Sequence, residues 1–125
     1  MPLSPGLHGR ATLLVTAADT ALALKSGAVE VLGTPRVVAL AEEAAMASLA
    51  EQLAPGQTTV SMRVQIDHLA PINVGSSVTA EATLANVEGR RLTFTVAVSD
   101  HCGLVAAGKV TRVVVETVHF LEQAR

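Results

Sequence analysis

Apolar and polar residues alternate most strictly in the middle of the chain. In TTVSMRVQIDHLA, Val60, Met62, Val64, Ile66 and His68 share one parity, while Thr59, Ser61, Arg63, Gln65 and Asp67 share the other. That period of two predicts a half-buried strand, with His68 on its apolar face and Asp67 turned away. Pro71 ends it. Val78, Ala80, Ala82 and Leu84 mark the inner face of a further strand, Glu88-Gly89 a turn, and Leu92, Phe94, Val96 and Val98 a strand returning from it. Cys102-Gly103 predicts a second turn before a final strand, LVAAGKVTRVVVE. The last three strands therefore form an antiparallel meander. HGRATLLVT, residues 8–16, reads as the first strand of the chain.

Between the first strand and the alternating segment the period changes. Residues 17–33 are apolar but interrupted by Asp19, Ser26-Gly27 and Gly33, which predicts a short helix or loop shaping a pocket. Helix signals follow. Thr34 is of a type that caps a helix by accepting a backbone N–H, Pro35 suits the first helical position, and Pro55-Gly56 stops the run. A helix over about 35–53 would be roughly 28 Å long, enough to cross a sheet. At 100° per residue Val38, Glu42, Leu49 and Leu53 share one arc, whereas Glu43 falls near Arg36 and Ala39. Glu43 is thus the solvated glutamate and Glu42 the inward one.

One long helix followed by an antiparallel sheet is an α+β arrangement in which the helix covers a single face. The last strand carries valines of both parities, Val110 and Val114 against Val113 and Val115. A sheet apolar on both sides needs more cover than this chain supplies, so a homodimer is expected, by edge pairing or by face packing.

Composition narrows the function. The 125 residues make one domain; half are hydrophobic, yet there are two phenylalanines and no tryptophan or tyrosine, so valine, leucine and alanine fill the core. A formal charge of −2 and the lack of stacking aromatics argue against nucleic-acid binding. No run approaches the roughly 18 apolar residues of a membrane span, and MPLSPGLHGR lacks the order of a signal peptide. The single cysteine, Cys102, agrees with a reducing, cytoplasmic compartment. It neighbours His101, but adjacent residues of a strand face opposite ways, which argues against a dyad. The four histidines show no paired ligand spacing, so no metal is expected.

Thr34, Glu42 and His68 each have a plain structural explanation, as a cap, a helix-margin glutamate and a satisfied core histidine. Together they resemble a site. A threonine at the mouth of the helix, a glutamate eight residues on in TPRVVALAEEAA, and a histidine in VQIDHLAPINVG are similar to the hotdog-fold thioesterases related to fluoroacetyl-CoA thioesterase. VEGRRLTFTVAVSD adds to the likeness, which covers about residues 8–118. The resemblance implies a hotdog fold, one long helix wrapped by a mainly antiparallel five-stranded sheet. It implies a single domain over residues 8–118 with a tail at 119–125, and protomers that join their sheets into a homodimer or a higher oligomer. It also implies an acyl-CoA site near the dimer interface with Thr34, Glu42 and His68 as the catalytic set, and coenzyme A present only as part of the substrate.

Two departures from relatives stand out. Ile72-Asn73 follows HLAP where relatives tend to have Thr-Pro, and residues 17–32 contain no aromatic side chain, so specificity for fluoroacetyl groups does not follow. The first N–H groups of the helix could hold a thioester carbonyl oxygen. His68 would accept a proton from Thr34 or from water, while Glu42 would orient the imidazole, activate the water or attack directly. The expected activity is acyl-CoA thioester hydrolysis. The alternative is a non-catalytic hotdog module that binds acyl-CoA or another acyl ligand. A hydratase would want Asp67 and His68 converging, and the alternation sends them to opposite faces.

Overall fold

Every segment with a clear period becomes an element in the computed structural model, which describes residues 3–125. The elements are β1 (His8–Leu14), α1 (Thr34–Ser48), β2 (Gln57–His68), β3 (Ser77–Glu88), β4 (Arg91–Asp100), β5 (Gly103–Glu116) and α2 (Thr117–Glu122). The five strands form one sheet in the order β1-β3-β4-β5-β2, antiparallel at each pairing. The meander β3-β4-β5 is its centre, and β1 and β2 are its edges. Residues 17–33 form a single 3-10 turn, Ala17–Asp19, followed by turns and isolated bridges. Among the described residues no helix is long and apolar enough to cross a membrane.

The sheet wraps α1, whose buried side chains are Val37, Leu40, Ala41, Ala44, Ala45 and Ser48. All but Ser48 share one core with Ala80, Ala82, Leu84, Leu92 and Phe94. Alanine faces alanine over much of this contact, so the helix axis lies close to the sheet. Nearest of all is Gly9 on β1, where a Cβ would fall on the backbone of Ala44 and Ser48.

Three expectations are corrected. First, α1 ends at Ser48, well short of residue 53. The Leu49 N–H turns to Met46 O at 3.0 Å and Glu51 adopts φ 62°, outside helical space. The buried stripe is therefore set by residues 37, 40, 41, 44, 45 and 48, with Val38 and Glu42 half-buried at its margin and Leu53 beyond the helix.

Second, the alternation of β2 breaks at Met62. Ser61 pairs with Arg112 and Arg63 with Thr111, leaving Met62 as the extra residue of a bulge, 51% exposed. Before the bulge Thr59 and Ser61 share the inner face; after it Val64, Ile66 and His68 do. One inserted residue flips the parity of everything preceding it. Third, the C-terminal segment is not a bare tail. α2 begins where the Thr117 N–H bonds Gly56 O at 2.9 Å, tying the end of β5 to the turn before β2.

Gly9→Ala should destabilise the fold by about 1–3 kcal/mol, because the obstructing atoms are helix backbone and cannot swing aside. Urea denaturation checks this, and a loss below about 0.5 kcal/mol, ordinary for surface substitutions, would show that α1 is free to shift.

Candidate active site

His68 is the last residue of β2 and pairs with buried Ala106 on β5. Beyond it the Leu69 and Ala70 N–H groups both donate to Val105 O, at 2.7 and 3.2 Å, so the chain leaves the sheet while still anchored to it. Thr34 is the first residue of α1. The helix mouth is fixed from the other side: Leu32 N–H bonds Ile72 O, Gly33 N–H bonds Asp19 O, and the Arg36 guanidinium lies 3.4 Å from the Asp19 carboxylate.

At this junction Thr34 Oγ1 and His68 Nδ1 are 2.8 Å apart. The capping role expected of Thr34 is corrected, because Gly33 occupies the N-cap position and no side chain caps the helix. The hydroxyl is thereby free for the imidazole. Pro35 has no N–H, and those of Arg36 and Val37 go to Gly33 O. Among the described residues, the Thr34 N–H is the donor left at the helix mouth, where the helix dipole is positive.

His68 Nε2 is buried and has no hydrogen-bond partner among the described residues. In the tautomer in which Thr34 donates to Nδ1, Nε2 carries the proton and lacks an acceptor. A cleft of about 310 Å³ opens here, lined by Thr34, His68, the 69–71 turn and small or aliphatic residues between Ala21 and Leu32.

Glu42 is not brought to His68 within the protomer. It follows Thr34 by eight residues, roughly 12 Å along the helix axis. Its side chain is 34% exposed, and Oε2 lies 3.6 Å from Nη1 of Arg112. Arg112 is itself buried on β5, donating to Thr59 Oγ1 at 2.8 Å, Ser61 Oγ at 2.6 Å, Thr59 O at 2.8 Å and Met46 Sδ at 3.1 Å. Burial pushes its pKa down from the usual arginine value, and the neighbouring Glu42 charge opposes the shift. Glu43 pairs with Arg36 at 3.1 Å on the exposed side, as its helical angle predicts. Sequence reasoning missed Arg112; the signal was an arginine between Val110 and Val114 on the apolar parity of β5. Asp100, His101 and Cys102 bring ligand-type atoms within 4.8 Å of one another at the β4–β5 turn, but none of the three lines the cleft.

A family model described as fluoroacetyl-CoA-specific thioesterase matches residues 15–118, a span holding both α1 and the 68–71 turn. The chain belongs to that family. The fluoroacetyl-CoA thioesterase of Streptantibioticus cattleyicolor is 32% identical over 96 residues, 77% of this chain and 69% of that protein. A solved structure of the fluoroacetyl-CoA thioesterase superposes with a TM-score of 0.91 at 26% identity, covering 98% of this chain and 96% of the other. A hot-dog-like protein from Thermanaerovibrio acidaminovorans gives 0.87 at 30% identity, covering 95% and 88%. The architecture is thus the hotdog fold, and the chain is a thioester hydrolase of the fluoroacetyl-CoA-specific thioesterase family.

For a member of this family the buried Arg112 is a notable organiser, since it joins α1, β2 and β5 through Glu42, Met46, Thr59 and Ser61. Lysine is a point charge without the planar fork and cannot meet these acceptors together. Arg112→Lys should therefore cost about 1–3 kcal/mol in chemical denaturation. An unchanged midpoint would show that these contacts are dispensable.

Proposed function

We propose that the protein hydrolyses acyl-CoA thioesters with Thr34 as nucleophile and His68 as its base, working as a cytoplasmic homodimer. The observation that carries this reading is the 2.8 Å contact between Thr34 Oγ1 and His68 Nδ1 in an open cleft. A hydroxyl is a weak nucleophile until a base takes its proton, and an imidazole with a reference pKa near 6.5 suits that work at neutral pH. Thr34 Oγ attacks the thioester carbonyl carbon as its proton passes to Nδ1. The carbonyl oxygen gains the negative charge, within reach of the Thr34 N–H at the positive end of α1. Collapse of the intermediate breaks the C–S bond, and the proton on Nδ1 goes to the departing thiolate. Water, activated by the same nitrogen, then cleaves the acyl-threonine ester to the free acid and restores the Thr34 hydroxyl.

Glu42 enters through the dimer. In its own protomer it lies beside Arg112, away from the Thr34–His68 pair. Glu42 of the partner subunit supplies a carboxylate at the open side of the cleft, where it positions the attacking water; Nε2 itself is closed off by protein and has no acceptor among the described residues. Dimer formation is supported by β2, a 12-residue edge strand with no strand neighbour on its outer side among the described residues. The exposed free thiol of Cys102 agrees with a reducing compartment.

His68→Ala, Thr34→Ala and Glu42→Gln should each lower kcat/KM by at least about 100-fold in a thiol-release assay, the usual scale for acid–base groups. Near-normal rates in the folded His68→Ala and Thr34→Ala variants would remove the proposed site. Ligand-induced stabilisation without release from any acyl-CoA would favour a binding module instead. Mixing the inactive His68→Ala and Glu42→Gln proteins tests the shared site, because a mixed dimer then holds one intact pair. Recovery toward about a quarter of wild-type activity is expected for two-fold dimers that exchange subunits. Mixed dimers with no activity would place Glu42 outside a site shared between subunits.

A further inference from the structure

Deepening the thioesterase reading, on which it rests, we infer that the acyl group is uncharged and aliphatic, and longer than two carbons. The cleft beside Thr34 and His68 measures about 310 Å³. That is at the lower bound of ordinary small-molecule pockets, and the cleft is open to solvent. An acetyl or fluoroacetyl group has only a handful of heavy atoms and covers little of its wall.

The wall decides what fills the rest. It consists largely of Ala21, Val29, Val31, Leu32 and Pro71; among the described residues its one ionisable side chain is His68, whose Nδ1 is engaged by Thr34 and whose Nε2 is buried. Both phenylalanines are elsewhere, Phe94 fully buried in the core and Phe120 on α2. Nothing here would compensate a carboxylate at the end of an acyl chain, as in a dicarboxylic acyl-CoA, so such a substrate would desolvate its charge unpaired. Nor does a ring narrow the cleft to a two-carbon fit. Val29 and Leu69 are 57% and 59% exposed although they belong to the lining. They offer apolar surface that an alkyl chain would cover and a short acyl group would leave wet.

The test measures kcat/KM for acetyl-, hexanoyl- and succinyl-CoA by thiol release, and acyl-CoA binding to His68→Ala, where differences in thioester reactivity drop out. Each buried methylene is worth roughly four-fold. Hexanoyl-CoA should therefore exceed acetyl-CoA by at least ~10-fold in kcat/KM, even with partial burial. It should also exceed succinyl-CoA, and bind His68→Ala at least ~10-fold tighter than acetyl- or fluoroacetyl-CoA. Val29→Phe, which adds a ring to the wall, should reduce the hexanoyl-to-acetyl ratio by about 10-fold or more. Equal or weaker handling of hexanoyl-CoA in both assays, or a preference for succinyl-CoA, overturns the inference and leaves the thioesterase reading standing. Tight hexanoyl-CoA binding with no release from any substrate does the reverse, upholding the apolar site and overturning hydrolysis.

Discussion

The close approach of α1 to the sheet is the constraint on which the remaining geometry hangs. Ala41, Ala44 and Ala45 on the helix and Ala80 and Ala82 on β3 are fully buried, and Gly9 of β1 touches helix backbone. Small residues on both sides replace bulk with proximity, and interiors at crystal-like density tolerate little movement once such surfaces meet. Larger side chains, Leu40 and Val37 from the helix and Phe94 and Leu84 from the sheet, then fill the space around this contact. The helix has little freedom to slide, and its first residue is delivered to one place: the end of β2, where His68 waits. A 2.8 Å hydrogen bond between residues 34 positions apart in sequence is thus a consequence of packing elsewhere.

Arg112 imposes a second constraint at the other end of α1. A buried guanidinium needs several acceptors, because the cost of desolvating its charge can exceed what a single Coulombic partner returns. Thr59 and Ser61 reach it only because the Met62 bulge puts their parity on the inner face, opposite to what unbroken alternation would give. The bulge, the arginine and the half-buried Glu42 therefore belong together: remove the extra residue and the hydroxyls face outward, leaving Arg112 only its partners on α1, Glu42 and Met46. The polar cluster thus holds the first half of edge strand β2 to both β5 and α1.

Much of this was legible in the residues, for reasons that differ by element. The meander could be read from Val78 to Val98 because both faces of those strands differ in burial, which is the condition for a visible period of two. α1 was visible through Pro35 and a run of helix formers, but its end was not, since the Leu49 N–H turns to Met46 O and Glu51 leaves helical space before Pro55-Gly56 can act. The phase of its buried face was misjudged for a related reason. Alanines carry little weight in an apolar arc, yet here they are the side turned to the sheet. For the site, the joint pattern of Thr34, Glu42 and His68 pointed to thioester chemistry, while the hydroxyl's orientation depended on Gly33 taking the cap position. Arg112 was overlooked because a lone charge in a valine-rich strand looks like a solvated edge until the bulge opposite it is seen.

These two constraints also keep the three proposed site residues from coming together within one chain. Packing fixes Thr34 against His68 at one end of α1, and Arg112 holds Glu42 two turns away, so the chain cannot close a three-residue site on itself without unwinding the helix that builds it. Meanwhile His68 Nε2 is buried without an acceptor among the described residues, a state that proteins rarely leave uncorrected. The outer side of β2 has no strand neighbour among the described residues, and the strand ends at this same histidine. A second copy would supply strand pairing to the edge and a task for a carboxylate that its own chain holds away from the histidine. Under the proposed shared site, dimerisation would be a condition of the chemistry.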